Sequence, residues 1–283
     1  MRRSPGATRS TRVGTCLYSM PAEAPAERPS TMLESVLRHE RVSVALLLIL
    51  LPAISWIWII AMARDMYGPM TGSSAWMMTP NWDRSHLLLL WAMWAVMMTG
   101  MMLPSASPFL LLYGAAARRS ASRTAGHQIY ALAAGYLLVW MAFSVGATAL
   151  QRLLASLLIV SAMMEVTNVR MSATLLFIAG VYQLTPLKHV CLRACQSPLG
   201  FLMSRWRNGS AGAFRMGVEH GVHCVGCCWA LMLLLFAGGV MNVFVIAALT
   251  AFVAFEKIAP IGPYGARISG VLLIAAGFVM LVR

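Results

Sequence analysis

Long apolar runs, separated by short segments that carry arginine and lysine, repeat along the chain after residue 41. A helix of about 20 apolar residues matches the roughly 30 Å hydrocarbon core of a bilayer. The pattern therefore predicts an all-α fold, a polytopic bundle of about seven transmembrane helices, with six also possible. The predicted spans lie at about residues 42–63, 86–113, 128–150, 170–187, 218–239, 241–259 and 266–282.

Segments outside these runs divide the chain into a tail and one membrane domain. Residues 1–40, which are rich in Pro, Ala and Arg, are predicted to form a disordered or amphipathic cytoplasmic tail. Residues 41–283 are predicted to form a metal-binding transmembrane domain. Leu153–Met164 is too short to span a bilayer, so we expect it to lie at the interface. Lys188–Arg215 is predicted to be a solvated loop that touches lipid.

The basic residues between the apolar runs predict the orientation of the bundle. From the N-terminus, the segments carry 7, 2, 3, 2, 5, 0, 2 and 1 Lys or Arg, so alternate segments sum to 17 and 5. Cytoplasmic loops are the ones that carry the excess of Lys and Arg. The counts therefore predict a cytoplasmic N-terminus and a multi-pass protein.

Composition agrees with a bilayer as the solvent. The chain is 59% hydrophobic and 11% charged, whereas soluble domains carry about 25% charged residues. The net charge of +13 is explained by orienting charge beside the helices and attraction to anionic lipid. Because aromatic and basic residues do not alternate on a polar face, we expect no nucleic-acid partner.

The window that begins the fifth span carries the strongest chemical signal. Its imidazoles and thiols belong to His220, His223, Cys224, Cys227 and Cys228. At 100° per residue, all five side chains fall within an arc of about 140° on a helix. They also lie near the helix N-terminus, where the dipole favours a thiolate.

Ligand-type side chains inside a bilayer are costly and are presumed to be functional. Thiolates and imidazoles are ligands that copper and zinc prefer. A single cysteine would be no more than a small apolar side chain, but five donors on one face are harder to explain by packing. Metal binding is the favoured interpretation, with thiol redox chemistry and simple packing as the alternatives.

Methionine supplies a second set of soft donors. The second span places thioethers at about one-turn spacing, with Met97 and Met101 on one line and Met98 and Met102 beside it. Thioethers suit Cu(I) in particular, although Met also fills irregular gaps between helices. Together with the Cys/His face, this stripe favours copper over zinc, which stays possible.

The orientation places these two sets of donors at a similar depth. The second span enters from outside and the fifth starts inside, so Met97–Met102 and His220–Cys228 both fall in inner halves. Gln183 and Glu256 also lie toward the inner ends of their spans. We therefore expect these groups to converge on one cytoplasm-proximal pocket.

Other polar residues have simpler expected roles. Cys191 and Cys195 could relay metal from a cytosolic donor, but interfacial packing is the favoured role. Glu256 and Lys257 are expected to form a paired, snorkelling charge near a helix end. Glu219 is expected to pair with Arg215 at i, i+4.

Several runs in the chain resemble the bacterial family of predicted metal-binding integral membrane proteins, formerly a domain of unknown function. The runs are Trp94-Ala-Val-Met97-Met98, Met101-Met102-Leu-Pro104-Ser105, Tyr182-Gln183-Leu-Thr-Pro186-Leu-Lys188 and His220-Gly221 with Cys224 and Gly226-Cys227-Cys228-Trp229. The resemblance covers roughly residues 40–283. It implies a membrane copper chaperone that serves copper oxidases such as tyrosinases and laccases.

The sequence therefore predicts a copper chaperone of the bacterial cytoplasmic (inner) membrane that delivers Cu(I) to a copper-dependent oxidase and is not an enzyme. One alternative is a soft-metal transporter, which needs a polar path across the membrane. Another is a membrane thiol–disulfide protein that uses Cys224 and Cys227. A purely structural subunit is the third.

Overall fold

The structure is a computed structural model that describes residues 32–68, 82–119, 125–161, 164–259 and 262–282. The chain divides into two units, Met1–His39 and Glu40–Arg283, and the account below concerns the second. The predicted tail falls largely on residues 1–31, which lie outside the described ranges. The helix that begins at Met32 covers the rest of that segment.

The described part of the chain is helical, which confirms the predicted all-α fold. Its one pairing of extended residues is an isolated antiparallel bridge between Val160 and Val166. The helices are α1 (Met32–Met66), α2 (Arg84–Arg119), α3 (Ala125–Ser156), α4 (Val169–Leu184), α5 (Pro186–Gln196), α6 (Pro198–Arg205), α7 (Gly209–Met232), α8 (Leu234–Gly238), α9 (Val243–Ile258) and α10 (Gly262–Val282).

Fewer helices than predicted are long and apolar enough to cross a membrane. Among the described residues there are five, or six if α4 and α5 together make one span bent by 67°. The five are Val42–Met66, Arg84–Arg119, Gly126–Ser156, Gly209–Gly238 and Tyr264–Val282. The predicted count of about seven is therefore slightly high, and the alternative of six matches the upper value.

The fourth predicted span, at about 170–187, is broken at Thr185. Pro186 is the first residue of α5 and disfavours the helical conformation of the residue before it. Thr185 is accordingly extended, and it ends α4 and caps α5. Its hydroxyl donates to the Tyr182 carbonyl at 2.7 Å and accepts from the Lys188 amide at 3.3 Å. The bend is thus encoded by a Thr-Pro pair.

The sixth predicted span is the short helix α9. Its N-terminus is fixed by Asn242, whose side chain accepts from the amides of Phe244 and Val245. The helix ends at Ile258 after 16 residues. At 1.5 Å per residue, that length is about 24 Å, which is short of the bilayer core.

The segment predicted to be a solvated loop, Lys188–Arg215, is mostly helical. It contains most of α5, all of α6 and the first turns of α7. Lys188 is completely buried. The prediction of a loop was wrong because it weighed the five basic residues and not the apolar residues between them, such as Leu192, Phe201 and Leu202, which are buried.

Glycines allow α3 and α7 to approach closely. A Cβ atom added to Gly217 would lie 2.0 Å from the Leu132 carbonyl oxygen, and one added to Gly135 would lie 2.2 Å from the Phe214 carbonyl oxygen. Gly221 faces Val139 at 3.0 Å in the same way. Any side chain larger than hydrogen at these positions would force the helices apart. The absence of side chains at Gly135, Gly217 and Gly221 is thus what allows the close approach.

Burial separates a central pair of helices from an apolar periphery. The candidate spans in α2 and α7 are the most buried, and those in α1 and α10 the least. Large apolar side chains on α1 and α10, such as Ile57 and Leu272, are more than 60% exposed. Such outward apolar faces are compatible with a membrane protein.

Candidate metal centre

Helix α7 places three cysteines inside the bundle. They lie in its C-terminal half, because the helix begins at Gly209, so the predicted position near the helix N-terminus was wrong. Cys224, Cys227 and Cys228 are each at most 2% exposed. The thiols of Cys227 and Cys228 donate to the Cys224 carbonyl at 3.1 and 3.0 Å. The cysteines of the α7 face are therefore held together in the interior and do not point at the outer surface.

A fourth thiol reaches this group from a second helix. Cys195, near the end of α5, is half-buried, and its thiol lies close enough to those of Cys224 and Cys227 to interact with them electrostatically. Cys228 interacts with the same two thiols. We call these four side chains, Cys195, Cys224, Cys227 and Cys228, the thiol cluster.

A buried lysine lies against the cluster. The ammonium group of Lys257, on α9, is 3.0 Å from the Cys224 sulfur and donates to the Ser105 hydroxyl at 2.9 Å. Only 7% of Lys257 is exposed. A buried cation needs a partner, and here the partner is a thiol that can become a thiolate.

A tyrosine completes the surroundings of Cys224. The hydroxyl of Tyr136, on α3, lies 3.2 Å from the Cys224 sulfur and donates to the Met102 carbonyl at 3.1 Å. Cys224 is therefore contacted by polar groups from α3 and α9 as well as by thiols from α5 and its own helix.

The two histidines of α7 differ in their surroundings. His220 is 3% exposed and stacks on Phe109 with ring centroids 4.1 Å apart. Its Nδ1 atom has no hydrogen-bond partner. His223 is only partly buried, and its Nδ1 lies 2.7 Å from the Glu219 carbonyl of its own helix. His220 is therefore the one with an unused buried nitrogen.

A pocket lies beside this region, between α2, α5, α6, α7 and α9. It has a volume of about 190 Å³ and is lined by side chains that include Ser105, Cys195, His220 and Lys257. Cys195 belongs both to the pocket wall and to the thiol cluster, so it connects the two.

The predicted methionine stripe is buried but is linked to the cluster indirectly. Met97, Met98, Met101 and Met102 are at most 1% exposed and share one apolar core with the α7 cysteines. Helix α2 packs on α3, α6 and α9, whereas α7 packs mainly on α3 and α5. The structure links the stripe to Cys224 through the Met102 carbonyl, which accepts from Tyr136 and from Ser105, the partner of Lys257.

Gln183 and Glu256 come together, but in a separate polar network. The Glu256 carboxylate accepts from the Lys188 ammonium at 2.7 Å and from the Gln183 amide at 3.3 Å. The Gln183 amide also donates to Ser269 at 3.0 Å. The expected snorkelling pair of Glu256 with Lys257 was wrong, because consecutive helical residues point in different directions and each meets a partner on another helix.

At the surface, Glu219 forms the expected pair with Arg215, at 3.6 Å. It also contacts Arg205 at 3.4 Å and Arg207 at 3.1 Å. These arginines are all more than a third exposed.

Sequence reasoning ranked several of these residues too low. Cys195 was assigned to packing, although its spacing from Cys191 put two thiols on one helix face. Lys257 carried the general signal of a charge inside an apolar segment. Tyr136 and Ser105 gave no signal, because a hydroxyl within a long apolar helix is common.

The described ranges contain no ready-made group of three or more His, Cys, Asp or Glu side chains around a metal position. Soft thiolates nevertheless select Cu(I), an ion that two sulfur donors are enough to hold. Because the four described thiols of the cluster are not arranged around one position, they fit Cu(I) as a cargo better than a structural Zn²⁺, which takes four tetrahedral ligands.

Comparison with known proteins assigns the family. Neither a curated protein nor a solved structure matches the chain. The model of a family described as copper chaperone (PpoB2) matches residues 91–280, which is more than half of the chain and agrees with the resemblance noted in the sequence. The thiol cluster, its lysine and the stripe of methionines all fall within the matched residues, and the chain belongs to the PpoB2 copper chaperone family.

Proposed function

We propose that this protein is an integral membrane copper chaperone of the bacterial cytoplasmic membrane, which binds Cu(I) inside its helical bundle and delivers it to a copper-dependent oxidase. The observation that carries the proposal is the buried contact between Lys257 and the Cys224 thiol at the centre of the thiol cluster. A copper-related role follows from the family; the membrane location is supported by the apolar helices.

Cys224 and Cys227 are the central ligands in this proposal, because each is in contact with the other thiols of the cluster. The remaining donors permit handover by ligand exchange. These are Cys228, His220 and His223 on α7, and the thioethers of Met97, Met98, Met101 and Met102 on α2. Cu(I) favours all of these soft or borderline ligands.

Charge balance supports Cu(I) as the cargo. Two thiolates and one Cu(I) carry a net charge of −1, and the ammonium group of Lys257 compensates it. A divalent ion on the same two thiolates would leave a net positive charge with the lysine present. Because an uncompensated charge is costly in a low-dielectric interior, the arrangement favours the monovalent ion.

The apolar pocket on the side of the bundle away from the thiol cluster fits a chaperone better than a transporter. A pocket of about 300 Å³ near Trp94 and Trp229 is lined only by apolar side chains and glycine, apart from the indole rings. With the predicted orientation, this pocket lies toward the outside and the thiol cluster toward the cytoplasm. A transporter needs polar groups along the whole path, and this pocket does not offer them.

Copper content of the purified protein tests the proposal. The protein is purified in detergent with Cu(I) under reducing conditions, and bound copper is measured by elemental analysis. Cys224→Ser with Cys227→Ser should abolish stoichiometric copper, because a hydroxyl is a poor ligand for Cu(I). Cys191→Ser, a thiol outside the cluster, is the matched control and should keep it. Full copper in the double variant would refute the assignment.

Transfer of Cu(I) to a recipient oxidase tests the delivery step. The copper-loaded protein in vesicles is mixed with a copper-free tyrosinase-type oxidase, and oxidase activity is followed. Activation that depends on Cys224 and Cys227 supports delivery. Copper transport across the vesicle membrane in place of activation would favour the soft-metal transporter.

A further inference from the structure

The pocket beside the thiol cluster is lined by polar residues that have no role as central ligands in the proposed function. It lies between α2, α5, α6, α7 and α9 and has a volume of about 190 Å³. Cys195, His220 and Lys257 line it together with Ser105 and Gln196. A pocket in an otherwise apolar bundle that is lined by a thiol, an imidazole and an ammonium group has the chemistry of a binding site.

His220 provides one sign of a missing ligand. Its side chain is 97% buried, yet its Nδ1 has no hydrogen-bond partner. Buried polar atoms are nearly always paired, so each exception needs an explanation. In the tautomer that carries its proton on Nε2, Nδ1 offers a lone pair to a metal ion.

Cys195 provides the second sign. It is half-buried, whereas Cys224, Cys227 and Cys228 are buried. Its thiol also interacts electrostatically with those of Cys224 and Cys227. Of the four thiols in the cluster, only that of Cys195 lines the pocket.

We propose that this pocket is the entrance for Cu(I), where the ion first binds Cys195 and His220 before it passes to Cys224 and Cys227. The inference rests on the proposed function and adds the order of ligand exchange to it. The ligand that the pocket accepts is Cu(I) carried by a thiolate donor. Lys257 lies at the inner wall, where its charge attracts an anionic copper–thiolate complex.

Both steps conserve charge and oxidation state. In the first, a Cu–S bond to Cys195 and a Cu–N bond to His220 form and the two Cu–S bonds to the donor thiolates break. One departing thiolate takes up the proton of the Cys195 thiol, and the other leaves as an anion. In the second, Cu–S bonds to Cys224 and Cys227 form and the bonds to Cys195 and His220 break. Cys195 takes up the proton that Cys224 gives up, and the proton of Cys227 passes to the second donor thiolate. Copper stays Cu(I) throughout.

Loading kinetics test the entrance. Purified wild-type protein is mixed with Cu(I) bound to glutathione, and bound copper is followed over time. Cys195→Ser and His220→Gln should each load at least about tenfold more slowly, which corresponds to about 1.4 kcal/mol of activation free energy. Their dissociation constants should change by less than their rates. Cys191→Ser, on the same helix as Cys195 but outside the pocket wall, should load at the wild-type rate.

Other outcomes separate this inference from the proposed function. A wild-type loading rate in Cys195→Ser would overturn the entrance and leave the central site intact. A dissociation constant that worsens as much as the rate would make Cys195 a central ligand, which also overturns the entrance. If the proposed function itself were wrong, the wild-type protein would bind no copper.

A measurement on the wild-type chain covers the case in which a variant fails to fold. Copper-free protein is treated briefly with a small alkylating reagent, and the modified cysteines are identified by mass spectrometry. Cys195 should react well before Cys224 and Cys227, and Cu(I) bound beforehand should protect Cys224 and Cys227 while Cys195 stays reactive. Reaction of Cys224 at the same rate as Cys195 would show that the pocket is not the way in.

Discussion

Glu256 and Lys257 are neighbours in α9 and both are buried, but they meet partners of different kinds. Glu256 faces Lys188, whose ammonium lies 2.7 Å from its carboxylate. Lys257 faces the Cys224 sulfur at 3.0 Å and the Ser105 hydroxyl at 2.9 Å. The first is a closed pair of opposite charges, and the second joins a charge to groups that are neutral when protonated.

This difference distinguishes the charges of Lys188 and Glu256, which have a structural role, from the charge of Lys257, which has a proposed role in ligand binding. Lys188 and Glu256 satisfy each other whether or not a metal is bound, and they tie α5 to α9. Lys257 is compensated only while Cys224 is a thiolate, and in the proposed function the binding of Cu(I) displaces the protons of Cys224 and Cys227. The same helix turn thus stabilises the fold on one side and, in the proposed function, supplies a countercharge to the copper site on the other.

Breaking the closed pair should have the largest effect. Glu256→Gln leaves the Lys188 ammonium buried without a countercharge, and we expect a loss of about 3–5 kcal/mol in the free energy of unfolding. Thermal or SDS-induced unfolding in detergent micelles measures this loss. The double replacement Lys188→Met with Glu256→Met removes both charges and should cost much less. Similar losses in the single and double variants would show that the pair is not the source of the stability.

Removing the charge of Lys257, which faces the thiols, should mainly lower the affinity for Cu(I). In Lys257→Met, Cys224 can stay protonated, so the copper-free protein keeps most of its stability. The copper–dithiolate complex loses its countercharge, and we expect Cu(I) affinity to fall by about 10–100-fold, the range seen when partners of metal ligands are removed. Competition with a Cu(I) chelator measures the affinity.

Lys257→Arg is the control for this prediction, because it keeps the charge and changes the shape. It should retain a larger part of the affinity than Lys257→Met. If Lys257→Met weakens folding as much as Glu256→Gln and leaves copper affinity unchanged, the two charges of α9 would both be structural.

The contrast also shows which parts of the site could be predicted from sequence. Helical periodicity placed Cys224, Cys227 and Cys228 on one face, since that depends only on positions within one helix. Lys257 and Cys195 meet that face through the packing of α5 and α9 on α7, which no spacing along the chain reveals. Residues that approach from other helices were therefore the ones ranked too low.

The fold was predictable to a similar extent. Apolar runs defined α1, α2, α3 and the region of α7, because a long helix needs only a long apolar segment. The bend at Thr185 and the shortness of α9 depend on a single Thr-Pro pair and a single Asn cap. Hydropathy averages over about 19 residues and cannot detect such local features.

A smaller effect on stability is expected for Tyr136, a neutral residue that lies beside Cys224, the partner of Lys257. Tyr136→Phe removes the hydroxyl that lies beside the Cys224 sulfur and bonds the Met102 carbonyl. Because one buried hydrogen bond contributes about 1 kcal/mol net, the free energy of unfolding should fall by about that amount. Tyr130→Phe on the same helix is the matched control, because its hydroxyl bonds Ser43 at the surface. Equal losses in the two variants would argue against a special role for Tyr136.

The smallest effect is expected for an ion pair outside the core. Glu219 is 19% exposed at its side chain and Arg215 is 67% exposed, with 3.6 Å between them. Arg215→Ala should lower the free energy of unfolding by no more than about 0.5 kcal/mol, because water screens the charge and pairs at i, i+4 contribute little. Arg205 and Arg207 also remain beside Glu219, so its carboxylate is never left alone. A loss above about 1 kcal/mol, measured by unfolding in detergent at low and at high salt, would contradict this expectation. Exposure would then not decide how much an ion pair stabilises this bundle, and the exposed pair could not serve as the lower limit for the buried pair of Lys188 and Glu256.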